Sequence, residues 1–237
     1  AGTDTVTLSA SAAYAAGLVL GKTSFSSVEV VELADGNDYR ITLNDANASG
    51  ILTVDGSALT GTNVLVFNGS AETIAELTAI GGAGNDTLTG GKGSDELIGG
   101  EGADLLTGGD GSDTASYGGS LAGVTVNLNL AVQVSAGDAS GDRLVKIENL
   151  AGSGNADILT GDKTSNILSG GGGADTLIGG KGADILFGDG GIDTASYAAS
   201  GAGGHVDLLA TIASGGDAES DFLGGIENLL GSSFADT

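Results

Sequence analysis

The chain has 237 residues, of which 46 are glycine, and it contains no proline, cysteine, methionine or tryptophan. Its 31 acidic side chains against 7 lysines and arginines give a formal net charge of −24. This charge argues against nucleic acid and anionic membranes as partners and favours multivalent cations. The lack of cysteine excludes disulfides and a thiol nucleophile. The sequence contains no run of about 18 apolar residues, so it predicts no membrane-spanning helix.

Residues 1–80 contain short β-rich runs separated by turn residues such as Asp35-Gly36-Asn37. The runs are VEVVEL at 28–33, YRITL at 39–43, ILTV at 51–54 and VLVF at 64–67. Their spacing suits either irregular rungs of a β-solenoid or a small sandwich. We favour the solenoid, because it would continue directly into the repeats that begin at residue 81.

Residues 81–116 are four copies of a nonapeptide, beginning GGAGNDTLT and GGKGSDELI. Glycine holds three of the first four positions, where it allows positive φ and a tight turn. Aspartate occupies the sixth position and leucine most of the eighth positions, where it fills a narrow core. The sixth positions are Asp86, Asp95, Asp104 and Asp113, and the eighth are Leu88, Leu97, Leu106 and Ala115.

Residues 117–151 link this array to the next one, and we predict that they form wider coils of the same solenoid. DTASYGGSLAG at 113–123 returns as DTASYAASGAG at 193–203, and IENL at 147–150 returns at 226–229. The nonapeptide register extends back through IENL, with Glu148 in the sixth position. VTVNL at 124–128 alternates as a strand does.

Residues 152–196 form a second array, and residues 197–237 return to wider coils and the start of a third. The sixth positions of the second array are Asp157, Asn166, Asp175, Asp184 and Asp193. Its eighth positions are Leu159, Leu168, Leu177, Leu186 and Ala195. Both ends of the chain interrupt a repeat, which is expected of a piece of a longer protein.

Nine residues are enough for one tight turn and one short strand, so a nonapeptide makes half a coil. Turns eighteen residues apart would then stack on one edge. Carbonyl and carboxylate oxygens are hard ligands, which suit Ca²⁺. We predict several calcium ions between these turn pairs: 81–86 with 99–104, 90–95 with 108–113, 152–157 with 170–175, 170–175 with 188–193, and 161–166 with 179–184.

In this scheme one turn donates carbonyls from positions one, three and five. Its neighbour donates those from positions two and four together with the sixth side chain. The predicted metal ligands are therefore the nine sixth-position residues and the glycines Gly82, Gly84, Gly91, Gly93, Gly100, Gly102, Gly109, Gly111, Gly171, Gly173, Gly180 and Gly182. Asn166 lacks the charge of an aspartate, so its site is predicted to be weaker.

The motifs GGAGNDTLT, GGKGSDELI and GGGADTLIGGKGADILFG resemble the repeats-in-toxin family of hemolysin-type calcium-binding repeats. The resemblance covers about residues 81–237 and is looser before them. It implies an all-β fold, a right-handed parallel β-roll or solenoid, secretion by a type I system, and folding outside the cell when calcium is met.

Two functions follow as hypotheses. The first is a calcium-dependent structural segment of a large secreted or cell-surface bacterial protein, of adhesin, surface-layer or matrix type, with neighbouring copies or cell-surface polymers as partners. The second is the C-terminal folding and secretion module of an extracellular enzyme whose catalytic domain lies outside this piece. We expect no catalysis in the chain itself, since His205 is its single histidine and cannot form a zinc protease site.

Other motifs are weaker. AGLVLGKT at 16–23 imitates a phosphate loop, but a strand-like run follows where a helix should stand. Asp45 begins an EF-hand-like run whose twelfth position is Gly56 and not glutamate. An acidic linker would not need leucine at every eighth position, and the third turn positions show none of the regular rows expected of ice-binding rolls.

Overall fold

The computed structural model describes residues 3–9, 17–20, 28–44, 52–73, 76–209 and 212–237. These residues form short β-strands and two single-turn 3-10 helices, Gly137–Ala139 and Gly216–Ala218. The strands are β1 (Thr5–Leu8), β2 (Leu18–Leu20), β3 (Val30–Leu33), β4 (Tyr39–Leu43), β5 (Leu52–Asp55), β6 (Leu65–Asn68), β7 (Leu77–Ile80), β8 (Thr87–Thr89), β9 (Glu96–Ile98), β10 (Leu105–Thr107), β11 (Thr114–Ser116), β12 (Thr125–Asn127), β13 (Arg143–Val145), β14 (Asn149–Ala151), β15 (Ile158–Thr160), β16 (Ile167–Ser169), β17 (Gly172–Gly173), β18 (Thr176–Ile178), β19 (Ile185–Phe187), β20 (Gly190–Gly191), β21 (Thr194–Ser196), β22 (His205–Asp207), β23 (Ile212–Ser214), β24 (Phe222–Gly224) and β25 (Asn228–Leu230).

The chain divides into two compact units, one of Ala1–Ser116 with Ala139–Ile147 and one of Tyr117–Asp138 with Glu148–Thr237. In the first unit, one parallel sheet runs in the order β1-β3-β5-β7-β9-β11 and the other in the order β2-β4-β6-β8-β10-β13. Consecutive strands thus alternate between two sheets, which is the topology of a parallel β-solenoid. The predicted all-β solenoid is confirmed.

The rungs of residues 3–80 are long and have large side chains inside. Hydrogen bonds from backbone N–H groups to acidic side chains join successive rungs, between residues that are 25, 26 and 21 positions apart. The fully buried side chains include Leu33, Tyr39, Ile41, Leu43 and Phe67. Because every strand pair of this segment is parallel among the described residues, a solenoid replaces the sandwich alternative.

The nonapeptide rungs are shorter and repeat every eighteen residues, as predicted. Strand β8 pairs in parallel with β10, placing Leu88 beside Leu106. Each of the nine eighth-position side chains, leucine or alanine, has an exposure of 0%. One apolar side chain per half-coil therefore fills the whole width of the core, which confirms the role predicted for the eighth position.

The second unit repeats this arrangement with sheets ordered β14-β16-β19-β24 and β12-β15-β18-β21-β25. The predicted strand at 124–128 is confirmed as β12, which pairs in parallel with β15. The next long repeat differs, because β22 pairs with β23 in an antiparallel ribbon. The described residues of 197–221 thus form a wide coil that contains an antiparallel strand pair of its own.

The motifs of the phosphate-loop and EF-hand type fall outside the described residues at Lys22, Thr23 and Asp45. The division of the chain into segments 1–80, 81–116, 117–151, 152–196 and 197–237 stays a prediction. Residues 3–80 and the first array lie in the same compact unit.

Candidate metal sites

The sixth position of each nonapeptide follows the glycine-rich turn and immediately precedes the strand. This places its side chain at the edge of the core, beneath the turn. The side chains of all nine predicted residues, eight aspartates and Asn166, are at most 2% exposed. A carboxylate buried to this degree is costly unless hydrogen bonds or a cation compensate its charge.

The first carboxylate oxygen of each aspartate links two stacked turns. Oδ1 of Asp104 accepts a hydrogen bond from the N–H of Asp86 at 2.7 Å, and Oδ1 of Asp175 accepts one from the N–H of Asp157 at 2.8 Å. The same bond joins Asp95 to Asp113, Asn166 to Asp184, and Asp175 to Asp193. The predicted stacking of turns eighteen residues apart is therefore confirmed for all five pairs.

The second carboxylate oxygen divides the aspartates into two groups. In the first turn of a row it closes its own turn, as Oδ2 of Asp86 accepts the N–H of Gly82 at 2.6 Å and Oδ2 of Asp95 that of Gly91 at 2.6 Å. Asp157 does the same with the N–H of Ser153. These carboxylates are saturated by backbone donors.

In later turns Oδ2 is left for another ligand. The Oδ2 atoms of Asp175, Asp184 and Asp193 are buried and accept no hydrogen bond from any described residue. All three belong to the second or third turn of a row. Oδ2 of Asp175 and of Asp184 lies against the first glycine of its own turn, since a Cβ at Gly170 or Gly179 would collide with it. A cation bound beside such an oxygen would offset its charge.

The pKa values of these aspartates also show that burial disfavours their charged form. Burial, with the nearby charges of Asp157, Asp193 and Asp189, raises the pKa of Asp175 to about 6. Burial likewise raises the pKa of Asp184 to about 6 and raises that of Asp86 and Asp95 above the usual range. Without a cation, these stacked carboxylates destabilise the folded chain near neutral pH.

The later turns have positive φ at position two, where the residue is glycine except for Asp189 with φ of 63°. Gly100 and Gly102 have φ of 90° and 129°, and a Cβ at either would collide with the carbonyl oxygen of Gly82 or Gly84 in the turn below. The turns touch through their backbones, so carbonyl oxygens gather between them. The position-two carbonyl of Gly91 accepts the N–H of Asp110 at 3.0 Å.

The predicted glycines all lie in these stacked turns. That their carbonyl groups ligate a metal stays a prediction.

Asn166 closes its own turn, as the aspartates of the other first turns do. Its Oδ1 accepts the N–H of Asp162 at 2.8 Å, and its Nδ2 donates to the carbonyl oxygen of Glu148 at 2.7 Å. Both polar atoms of the side chain are engaged with the backbone. In this turn pair, the buried oxygen that accepts no hydrogen bond from described residues is Oδ2 of Asp184. That Asn166 ligates a metal stays a prediction.

Sequence analysis missed the acidic side chains that continue each row into the wide coils. Oδ1 of Asp142 accepts the N–H of Asp104, and Oδ1 of Asp221 accepts that of Asp184, each at 2.8 Å. The signal that could have found them is the aspartate-x-leucine triplet, which both segments keep without the glycine-rich turn. Asp221 also accepts a hydrogen bond from the hydroxyl of Tyr197 at 3.0 Å.

The IENL register is confirmed in the second long repeat. Oε2 of Glu227 accepts the N–H of Asp193 at 2.9 Å, which is the bond that a sixth-position aspartate makes elsewhere. A longer acid therefore replaces aspartate where the chain leaves a wide coil and returns to the nonapeptide register.

The donor set fits calcium. Carboxylate and carbonyl oxygens line the turns, and the sequence has one histidine and no cysteine, so the nitrogen and sulfur ligands of zinc are missing. Fold and turns together define a parallel β-solenoid with calcium-binding turns.

A comparison with protein families agrees. The model of the RTX calcium-binding nonapeptide repeat matches residues 80–115 and 160–195, in four copies. These two segments are therefore similar to a structural calcium-binding repeat that is not itself catalytic and is typical of secreted bacterial proteins. A comparison with curated proteins finds no match. Within the described residues, no helix has the length and apolar character needed to cross a membrane.

Proposed function

We propose that the chain is a calcium-dependent structural segment of a large secreted or cell-surface bacterial protein, of adhesin, surface-layer or matrix type. One observation carries this proposal. Rows of buried aspartates end in oxygens that accept no hydrogen bond from described residues, as in Asp175, Asp184 and Asp193. A solenoid that buries rows of carboxylates needs the ion to fold.

Different positions of the repeat have different roles in folding. The eighth-position leucines fill the core, and the first-turn aspartates hold their own turns closed. The later aspartates, with the turn carbonyls, would hold the calcium ions. Bound calcium supplies positive charge between turns eighteen residues apart, so binding free energy becomes folding free energy. Each ion ties one turn to the next, which suits a repeat protein whose rungs contact only their neighbours.

This role explains the acidic composition. A segment that stays unfolded at the low calcium concentration of a cytoplasm remains competent for export and folds after secretion. We infer that the partners are neighbouring copies or cell-surface polymers and that the chain itself performs no catalysis. The large negative charge keeps nucleic acid away.

Circular dichroism of the full chain during a calcium titration tests the proposal. In excess chelator, residues 81–237 should be largely unfolded, and β-structure should appear cooperatively near millimolar calcium, the range of extracellular modules. Magnesium at the same concentration is the control, because it keeps its waters and prefers a smaller octahedral site. A spectrum in chelator identical to that in calcium would overturn the proposal.

A further inference from the structure

Two matched turns lie below the first array, outside the residues that match the repeat family. The turn Gly56–Leu59 follows β5, and the turn Gly69–Glu72 follows β6. Both read glycine-serine-alanine before the last residue, which is leucine in one and glutamate in the other.

Their hydrogen bonds are the same. The N–H of Leu59 donates to the carbonyl oxygen of Gly56 at 2.8 Å, and that of Glu72 donates to Gly69 at 2.7 Å. In each turn the serine N–H donates to the side chain two residues earlier, Asp55 or Asn68, at 2.9 and 3.0 Å. The two turns are therefore one structural unit used twice.

Each turn supports the first nonapeptide turn of one row. A Cβ at Gly82 would lie 2.5 Å from the carbonyl oxygen of Leu59, and one at Gly91 would lie 2.9 Å from that of Glu72. The N–H of Ala83 donates to the Leu59 carbonyl at 3.0 Å, as Asp110 does to Gly91 one rung higher in the other row. Leu59 and Glu72 thus take position two of an extra turn beneath each row.

The side chains at these equivalent places are equally buried, but one is apolar and the other is a carboxylate. Leu59 is 1% exposed and Glu72 is 2% exposed. Oε1 of Glu72 accepts the N–H of Thr73 at 3.1 Å. Its Oε2 is buried and has no hydrogen-bond partner in the described part of the chain. Leu59 shows that the turn folds with an apolar side chain here, so packing alone does not call for a carboxylate.

We propose that Glu72 is a ligand of an additional calcium ion between the turn Gly69–Glu72 and the turn 90–95. The inference rests on the proposed function. It adds one site below the nonapeptide row that stacks on the turn Gly69–Glu72. It adds no site below the row that stacks on the turn Gly56–Leu59. Glu72 shares with Asp175, Asp184 and Asp193 the buried oxygen that accepts no hydrogen bond from described residues, and an oxygen ligand at the edge of a turn suits calcium.

Native mass spectrometry of the full chain in calcium tests this site by counting bound ions. Glu72→Leu places the side chain of Leu59 in the equivalent turn and should bind one calcium fewer than the unchanged chain. Glu96→Gln is the matched control, because it removes an exposed charge next to the same turn and should leave the count unchanged.

A second variant guards against misfolding. Glu72→Gln keeps the size of the side chain, and calorimetry should show one site weakened by about tenfold or more with the others unaltered. Equal counts and affinities in both Glu72 variants would sink this inference while leaving calcium binding intact. An unchanged chain that binds no calcium would instead overturn the proposed function, so the two failures are distinguishable.

Discussion

Residues 3–80 and the nonapeptide arrays share a parallel solenoid fold but hold their turns together differently. The N-terminal rungs bury large side chains such as Tyr39 and Phe67. Their turns are closed by protein donors, as where Asp35 accepts hydrogen bonds from the N–H of Thr60 at 2.9 Å and from the side chain of Asn63 at 2.8 Å.

The array rungs bury one leucine or alanine per half-coil and one carboxylate beside it. Burial of a leucine contributes roughly 1.5–3 kcal/mol, and each glycine of the turn costs backbone entropy. A buried carboxylate adds a further cost when its second oxygen lacks a donor. In the shorter, eighteen-residue rungs, burial of the core contributes less to the free energy of folding, and calcium binding must contribute more.

The largest expected effect is a regional response to chelation. When calcium is removed, amides of 81–116 and 152–196 should lose protection while those of β3 to β6 keep much of theirs. The reason is that Glu72 is the one buried acidic side chain among the described residues of 3–80. Hydrogen exchange read peptide by peptide by mass spectrometry checks this. Equal loss in both regions would show that the N-terminal rungs depend on the ion as well.

An intermediate effect is expected from single side chains of one turn pair. Asp184→Asn should lower calcium affinity at its site by about tenfold or more, because it removes the ligand charge. Asn166→Asp is the matched comparison. If Asn166 were a ligand, as the sequence predicts, the added charge should strengthen binding.

The structure leads us to expect no gain from Asn166→Asp, since the variant loses the hydrogen bond from Nδ2 to Glu148. Isothermal calorimetry on both variants decides between these roles. A clear increase in affinity for Asn166→Asp would support Asn166 as a ligand and contradict this expectation.

The smallest effect is a difference in pH response without calcium. The pKa values of Asp175, Asp184 and Asp221 are raised to about 6, mainly by burial, so the folded chain binds protons more tightly than the unfolded chain. In chelator, lowering the pH from 7 to about 5 should therefore stabilise the arrays. The β-signal in circular dichroism should rise.

The N-terminal segment should respond with the opposite sign and at lower pH. Hydrogen bonds from Thr60 lower the pKa of Asp35 to about 2, so its contribution is present above about pH 4 and is lost as the pH falls toward 2. Amide NMR signals of Thr60 report this step. The double variant Asp175→Asn, Asp184→Asn should show a weaker response of the arrays between pH 7 and 5. An array signal that stays flat in the unchanged chain would contradict the assigned pKa shifts.

Much of this molecule was readable from the sequence because the repeat is strict. Glycine, aspartate and leucine at fixed positions of nine residues determine the half-coil, the buried ladder and the edge on which carboxylates collect. The solenoid of residues 3–80 was also predicted, although its rungs follow no fixed period. The nonapeptide pattern does not predict the acidic side chains that extend the rows beyond it, because Asp142, Asp221 and Glu72 lie where the glycine pattern is absent.

The sequence by itself determined that aspartates repeat every nine residues and stack every eighteen, because the period alone sets which turns share an edge. Only the tertiary structure decided which of them have a buried carboxylate oxygen that accepts no hydrogen bond from described residues. Asp86 and Asp175 occupy the same position of the same motif, yet Oδ2 of Asp86 binds its own turn and Oδ2 of Asp175 does not. The physical reason lies in the backbone of the turn. Gly171 has φ of 92° and its N–H points to Asp189 of the next turn, whereas Gly82 lacks positive φ and its N–H closes the turn on Asp86.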